Sequence, residues 1–589
     1  MTELFDVLGE HDWRVAATAA GLLAEFNDAG VLTSSDIHVA TRLGALGGEH
    51  DERVLLAVAL AVRAVRRGSV CLDLAGVRAI APDLGWPDEW PLEQSPLVSA
   101  GVLRWELDLL YLDRYHRLET QVHDDLAARL ALAPPPTDEA RLTRALLRVR
   151  AGHFSAEQEA AVAAAVRRRT TILTGGPGTG KTTTVARLLS LLADQAGRRL
   201  SIALAAPTGK AATRLQEAVT TELDTVARTW PEVADLVGRP IGLTLHRLLG
   251  WRPDNATRFR HDRSNRLKYD VVVVDESSMV ELTMMGRLLE ALRPDSRLVL
   301  VGDPRQLTSV GAGAVLSDLV AGYDGRADSP VAALTENFRS EEDIKALAAA
   351  LRDGDADEVL AVLRTPSDQV SFVEAADADA IEQVLKPDSL AAARAIRRAA
   401  LDEDPERALA ELDRYRLLCA HREGPSGVRR WNHLVERWLA EDPDVDPYGP
   451  WGGQWYVGRP LLVTSNDYAL DVYNGETGVV VRRGDRSRAF VGGSERLKEF
   501  APGRLDAVET MHAMTIHKSQ GSQADRVTVL LPDEGSRLLT RELFYTAVTR
   551  ARRHVRVVGT EAAVRAAVET HAQRATGLRR RLAGAETAG

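Results

Sequence analysis

Residues Thr171 to Thr184 read Thr-Ile-Leu-Thr-Gly-Gly-Pro-Gly-Thr-Gly-Lys-Thr-Thr-Thr, and Gly175–Thr182 within them fits the pattern G-x-x-x-x-G-K-[ST]. An apolar strand end precedes the pattern, and a helical stretch from Thr183 to Leu192 follows it. A strand that turns through glycines directly into a helix points its backbone N–H groups at a polyphosphate, with the positive end of the helix behind them. The pattern therefore predicts an α/β fold with a site for ATP. Gly175, Gly176, Pro177, Gly178, Thr179 and Gly180 would form the cradle and Thr183 would open the helix. Lys181 would reach the β/γ-phosphates, and the Thr182 hydroxyl would hold Mg²⁺.

At 589 residues the chain exceeds what one core supports, so several domains are expected. Two distant cysteines, Cys71 and Cys419, exclude a multi-cysteine metal site and fit a reducing cytoplasm. No apolar run approaches membrane-spanning length, and the acidic N-terminus does not read as a signal peptide. A net charge of −10 is no argument against a nucleic-acid partner, because only a binding groove has to be positive.

Residues 1–132 are rich in helical apolar periodicity, as in Leu55 to Arg66, and Ala133-Pro-Pro-Pro-Thr137 opens an expected linker over 133–145. Apolar strands then alternate with helices: Thr171–Thr174, Leu200–Ala205, Val271–Val274 and Leu298–Val301 within 146–365. A second set, Tyr415–Ala420, Arg526–Leu531 and His554–Val558, falls in 366–455 and 511–589. Such alternation predicts two parallel sheets flanked by helices. Between the last two blocks, 456–510 shows short β-rich segments and tight turns, expected to form a small antiparallel barrel. The Arg167–Arg169 and Arg579–Arg581 runs read as solvated surface.

Val271-Val-Val-Val-Asp-Glu-Ser-Ser278 would place Asp275 and Glu276 at the C-terminal edge of a buried strand, where α/β ligands sit. Asp275 is expected in the Mg²⁺ shell, and Glu276 as the group that orients or deprotonates a water attacking the γ-phosphate. Leu298-Val-Leu-Val-Gly-Asp-Pro-Arg-Gln-Leu307 ends another strand in a turn presenting Gln306, an amide placed to sense that phosphate.

These segments, with Ala206-Pro-Thr-Gly-Lys-Ala-Ala212, Thr244-Leu-His-Arg-Leu248, Leu334-Thr-Glu-Asn-Phe-Arg-Ser340, Met514-Thr-Ile-His-Lys-Ser-Gln-Gly521 and Tyr545-Thr-Ala-Val-Thr-Arg-Ala551, resemble in order the motifs of superfamily-one DNA helicases. The resemblance covers about 150 to 560 and implies two RecA-like motor domains. It implies that Gln158 reads adenine, that Gln520 and Gly521 touch nucleotide, and that Arg339 and Arg550 act as arginine fingers. It also implies that Pro207, Thr208, Lys210, Thr244, His246, His517 and Lys518 line a single-strand track. Gln158 equally fits an ordinary helix face, and the two histidines equally fit satisfied core positions.

Within that superfamily the chain looks most like the RecD family, alpha subunits of exodeoxyribonuclease V. Shared features include G-D-P-R-Q-L-x-S-V-G-A-G and T-I-H-K-S-Q-G-S. The resemblance implies a 5′→3′ translocase on single-stranded DNA with an SH3-like insert. It further implies assembly with RecB-like and RecC-like subunits, which unwind and degrade duplex DNA ends in recombinational repair, with nuclease activity supplied by a partner. A free-standing RecD-like helicase is the alternative, and a DNA clamp that hydrolyses ATP without unwinding is a further one. The short front region lacks a G-x-G hairpin signature, which favours the complex subunit, and intact Glu276 disfavours the clamp. Leu109 to Tyr115 and Trp105 offer aromatic and arginine anchors for docking a partner.

Overall fold

The computed structural model describes residues 12–584 apart from 151–153, 253–254, 309–310, 339–341, 442–453, 468, 493–496 and 573. Continuous β-branched runs suit strands covered on both faces, and Val271–Val274 lies inside a six-stranded parallel sheet. Its order is Val331–Leu334, Thr170–Gly175, Arg297–Gly302, Val271–Val274, Ile202–Ala206, Gly242–Thr244. The pleat sends Val272, Val274, Leu298 and Leu300 to a core shared with helix Leu282–Ala291. It sends Val271, Val273, Val299 and Val301 to a core shared with helix Lys181–Ala196.

A second parallel sheet has five strands in the order Val370–Glu374, Ala551–Gly559, Ala524–Leu530, Tyr415–Cys419, Ala513–Thr515. The segment expected to be a barrel forms an antiparallel sheet ordered Lys498–Phe500, Arg486–Val491, Thr477–Arg483, Pro460–Val463, Val508–Thr510. Among the described residues no ladder joins its first strand to its last, so the structure shows a five-stranded sheet and not a closed barrel.

Three sequence expectations are revised. The front region is helical at Gly21–Asp28, Ser34–Gly47, Glu52–Arg66 and Asp113–Leu130, but it also carries a hairpin, Leu103–Glu106 with Leu109–Leu112. The hairpin turns through Leu107 and Asp108, both at positive φ (56° and 58°), the geometry of a tight type I′-like turn. Its strand buries Leu109, Leu110 and Tyr111, and the Tyr111 hydroxyl donates to Glu119 at 3.0 Å, so these side chains are core and not docking anchors. The linker is irregular only as far as Asp138, because Leu142, Ala145 and Val149 give the helix Glu139–Arg150 an apolar stripe that packs into the core of Lys181–Ala196.

The third revision concerns the C-terminus. After Thr570 the chain leaves the second sheet and lies against the front region. Ala575 O accepts from Val70 N at 2.8 Å, Gly577 N donates to Glu119 at 2.9 Å, and Leu578 and Leu582 enter the core around Leu282–Ala291. Arg580 pairs with Asp73 at 3.0 Å and Arg581 with Glu106 at 2.8 Å and Glu119 at 3.1 Å. Arg579 and Arg580 stay exposed, as the sequence suggests, whereas Arg581 is drawn into the seam, where buried Glu119 requires such a partner.

Candidate nucleotide site and strand-facing residues

The glycine loop joins strand Thr170–Gly175 to helix Lys181–Ala196 with Gly178 at φ 84° and Gly180 at φ 75°, values that disfavour a side chain. A Cβ at Gly180 would also come within 2.3 Å of Gln158 Nε2. Lys181 Nζ donates to Gly175 O at 2.7 Å and Gly176 O at 2.9 Å, which holds the ammonium over the loop. Thr179 Oγ1 donates to Gly176 O, Thr183 Oγ1 donates to Glu222 at 3.0 Å, and Pro177 and Thr182 face the same cavity. That cavity measures about 880 Å³, ample for a nucleoside triphosphate.

Asp275 and Glu276 sit where the central strand ends. Glu276 has φ 50° and ψ 39°, a left-handed conformation uncommon for a side-chain-bearing residue and the kind of strain that collects at functional sites. Asp275 Oδ1 accepts from Glu276 N at 2.8 Å. Burial and the neighbouring Glu276 charge raise the Asp275 carboxyl to about 6, against which Lys181 and Arg214 act. Among the described residues no group of three or more His, Cys, Asp and Glu forms a metal cage. Thr182 with a single carboxylate does fit Mg²⁺, which binds few protein ligands and completes its shell with substrate phosphates and water.

Strand Arg297–Gly302 delivers Asp303 and Gln306 to the same cavity. Gln306 Nε2 donates to Asp303 Oδ2 at 3.3 Å, while its buried Oε1 finds no hydrogen-bond partner among the described residues. Such an orphan acceptor is costly unless a ligand or water satisfies it. The second sheet closes the far wall. Arg550 donates from Nε to Thr546 O at 3.0 Å and from Nη1 to Ser522 O at 3.3 Å, with its buried guanidinium in the field of Glu276 and Asp303. Burial lowers its pKa, and the two carboxylates oppose that shift.

Not every expected nucleotide residue faces the cavity. Gln158 does, but its amide is committed: Nε2 donates to Thr179 O at 3.2 Å and Oε1 accepts from Ser155 N at 3.2 Å, capping the helix Ala156–Val166. Gly521 lines the cavity at φ 69°, whereas Gln520 turns away and donates to Leu307 O at 2.8 Å. Arg339 lies outside the described residues. Sequence reasoning singles out neither Phe338, which is 53% exposed at the cavity wall, nor Arg214, Asp303 and Tyr545, although each lies inside or beside a motif segment. Tyr545 donates to Asp303 Oδ2 at 3.1 Å, and a Cβ on Gly176 would sit 3.1 Å from its hydroxyl.

The expected strand-facing residues fall into two groups. Pro207, Thr208 and Lys210 stand where strand Ile202–Ala206 passes into helix Gly209–Thr229, which Thr208 caps. Here the insert comes close: a Cβ on Gly209 would lie 2.6 Å from Tyr473 Cβ, and Arg247 reaches the Tyr473 hydroxyl at 3.4 Å. Lys210 shares a pocket of about 260 Å³ with Arg214, Asp413 and Glu476, and burial lowers its ammonium to about 8. Thr244 is buried as the cap of Leu245–Leu249, and His246 packs its ring 5.9 Å from that of Phe259. His246 is thus better explained by packing. His517 and Lys518 follow the edge strand Ala513–Thr515. Burial and nearby Arg574 lower the His517 pKa, while Lys518 pairs with Glu509 at 2.8 Å in a separate pocket of about 300 Å³ beside Arg422 and Arg429.

Comparison with known proteins agrees with this architecture. Residues 28–148 match the family described as RecBCD enzyme subunit RecD, N-terminal domain, residues 153–375 the AAA domain, and residues 510–558 the UvrD-like helicase C-terminal domain. The chain is 55% identical to the RecBCD enzyme subunit RecD of Mycolicibacterium smegmatis over 94% of its own length and 98% of that protein. It is 53% identical to the RecBCD enzyme subunit RecD of Mycobacterium tuberculosis, covering 96% and 98%. It is 30% identical to the ATP-dependent RecD2 DNA helicase of Deinococcus radiodurans, covering 78% of this chain and 56% of that one. The crystal structure of Bacteroides Pif1 bound to ssDNA aligns over 69% of this chain and 92% of that one at 18% identity, with a TM-score of 0.37, too loose a superposition to bear on function. With more than half its residues identical along nearly its whole length, the chain belongs to the family of RecD subunits of RecBCD enzymes.

Proposed function

We propose that the chain is an ATP-dependent DNA helicase that moves 5′→3′ on single-stranded DNA as the RecD-type subunit of a RecBCD complex. The observation that carries this reading is that one cavity is lined from both parallel sheets: by Lys181, Asp275, Glu276 and Gln306 of the first, and by Arg550 and the Gly521 backbone of the second. A nucleotide there would pull the two sheets together, and hydrolysis would release them, which is how a chemical step becomes motion of one motor against the other. The division that suits this reading is a front docking domain over 1–132 and a first motor over 146–365. The second motor spans 366–455 and 511 to about 570, and the β-rich insert 456–510.

The roles follow from position. Lys181 neutralises the β/γ-phosphates; Thr182 and Asp275 would hold Mg²⁺, which supplies charge neutralisation on the phosphates. Glu276 orients and deprotonates the attacking water, Gln306 senses the γ-phosphate by donating from its amide Nε2 while its unsatisfied Oε1 is left to accept from that water, and Arg550 neutralises the charge that develops in the transition state. Phe338 offers a flat apolar face for the base. Strand contacts are assigned to Thr208 and Lys210 beside the insert and to Lys518 on the second motor. The relatives' names, RecBCD enzyme subunit RecD, support RecB-like and RecC-like partners, and this reading assigns DNA degradation to one of those partners. The test is ATP hydrolysis by the purified full chain with and without single-stranded DNA. Strong stimulation by the strand is expected, and DNA-independent turnover would refute a translocase.

A further inference from the structure

Arg214 carries none of the roles assigned to the nucleotide or strand residues, yet it occupies the wall between two sites. It lines the nucleotide cavity on one side and, on the other, the small pocket that holds Lys210, Ser522 and Gln523. It stands one helical turn after Lys210 on Gly209–Thr229, so the two side chains share a face. Its Nη1 donates to Gly521 O, across the cleft on the second motor.

The bonded loop leads straight to the arginine finger. Gly521 at φ 69° turns the chain so that the next carbonyl, Ser522 O, accepts from Arg550 Nη1 at 3.3 Å. The loop is also close-packed against the first motor: a Cβ at Gly521 would lie 3.6 Å from Ala211 Cβ and 3.9 Å from Glu276 Oε1. A carbonyl held from one motor and its neighbour holding the finger of the other form a continuous path of hydrogen bonds. A displaced Gly521 loop would carry Ser522 O with it, and Arg550 would lose one of its two backbone anchors.

We propose that Arg214 is a positioning residue for hydrolysis: from the first motor it fixes the Gly521–Ser522 loop of the second and thereby aims Arg550 at the reacting phosphate. This rests on the reading of Arg550 as the finger. Because Arg214 follows Lys210 by one turn, strand binding at Lys210 would be felt at the loop, which ties the finger's placement to DNA.

The experiment is a double-mutant cycle on the full chain, measuring kcat and KM for ATP at saturating single-stranded DNA, with Arg214→Ala, Arg214→Lys, Arg550→Ala and the Arg214→Ala/Arg550→Ala double variant. Arg214→Ala should lower kcat by about 10-fold or more while KM moves less than about 3-fold, the pattern of an interaction made in the transition state. Arg214→Lys, which keeps a donor and a charge, should recover part of the loss. The double variant should be no slower than Arg550→Ala alone, because positioning has no value once the finger is gone. Wild-type kcat in Arg214→Ala alongside a collapsed Arg550→Ala would overturn the inference, as would losses that multiply in the double variant. A fully active Arg550→Ala would overturn the finger reading itself. Should Arg214→Ala fold poorly by thermal melting, Arg214→Met, which keeps the apolar stem and removes every donor, decides: a kcat lowered about 10-fold with an intact melt supports the inference, and a wild-type kcat overturns it.

Discussion

The hydroxyl of Tyr545, on the second motor, donates to Asp303 Oδ2 of the first at 3.1 Å, and Gln306 Nε2 donates to the same oxygen at 3.3 Å. One carboxylate oxygen thus gathers the residue proposed to sense the γ-phosphate and a residue of the opposing wall. Two further bonds run beside it: Leu307 N to Thr546 Oγ1 at 3.0 Å and Gln520 Nε2 to Leu307 O at 2.8 Å. If Gln306 senses the phosphate as proposed, a shift of it on phosphate loss would reach the second motor within a residue or two through these bonds. Tyr545→Phe removes one donor to a buried carboxylate, worth about 1.5–3 kcal/mol when the partner is charged. Expected is a several-fold fall in DNA-stimulated turnover with nucleotide affinity nearly unchanged, read by ATPase assay and a fluorescent ADP analogue. An unchanged stimulation factor would remove Tyr545 from the coupling path.

Lys181→Ala takes away the ammonium that lies over Gly175 O and Gly176 O, and with it most ATP binding. Glu276→Gln keeps the side chain's shape in its left-handed backbone position while removing the carboxylate. It should bind ATP normally and turn over more slowly by about 10²-fold or more, in the range of a lost general base. Near-wild-type turnover would take the role of base away from Glu276.

Much of the fold and of the nucleotide site is legible in the amino-acid order, and the part that is not has a physical pattern. Four strands that the apolar pattern does not announce, Gly242–Thr244, Val331–Leu334, Val370–Glu374 and Ala513–Thr515, lie at the edges of the two parallel sheets. Central strands bury both faces and advertise themselves as unbroken apolar runs such as Val271–Val274, whereas Gly242–Thr244 and Val370–Glu374 leave most of their residues partly exposed and Ala513–Thr515, though buried, is only three residues long. The hairpin at Leu107 and Asp108 is hidden for a related reason: no Asn-Gly or Asp-Gly marks the turn, and leucine is a poor advertisement for positive φ. Site residues held by a motif's fixed spacing, such as Lys181 and Glu276, can be picked out from the chain alone. Residues whose role depends on what faces them across the cleft, such as Tyr545 and Arg214, cannot.

Burial lowers Lys210 to about 8, with the nearby positive charge of Arg416 adding to the effect. A strand contact that needs the ammonium is fully present below that value and fades as pH rises through it. Single-strand affinity of the full chain should therefore weaken between about pH 7 and 9, and Lys210→Arg, charged throughout that range, should flatten the profile. Fluorescence anisotropy with a labelled oligonucleotide measures both, and a profile that Lys210→Arg leaves unchanged would place the titrating group elsewhere.

Direction of travel rests on family membership, since no side chain encodes it. Translocation 5′→3′ should displace streptavidin from a 3′-biotinylated oligonucleotide faster than from a 5′-biotinylated one. The opposite order would reverse the assignment.

The front region is proposed to dock a RecC-like partner, and its packing dictates how that is best tested. Removing residues 1–130 would strip Leu118, Val122 and Leu126 from the core they share with Leu282, Met285 and Leu288, and would leave the C-terminal arginines Arg580 and Arg581 without Asp73, Glu106 and Glu119. Such a truncation should destabilise the first motor and is a poor probe of docking. Surface changes are cleaner. On the helix Ser34–Gly47, Val39 and Leu46 lie two turns apart on one face, 41% and 68% exposed, and Trp13 is 78% exposed. Exposed apolar side chains on one region are what a partner surface of about 1,000 Å² or more would cover. Val39→Asp with Leu46→Asp should abolish copurification with the large partner from native extract while leaving the melting temperature and the DNA-stimulated ATPase of the isolated chain intact. If the double variant still copurifies, the partner grips another surface, and the face of Ser34–Gly47 is only solvent-exposed.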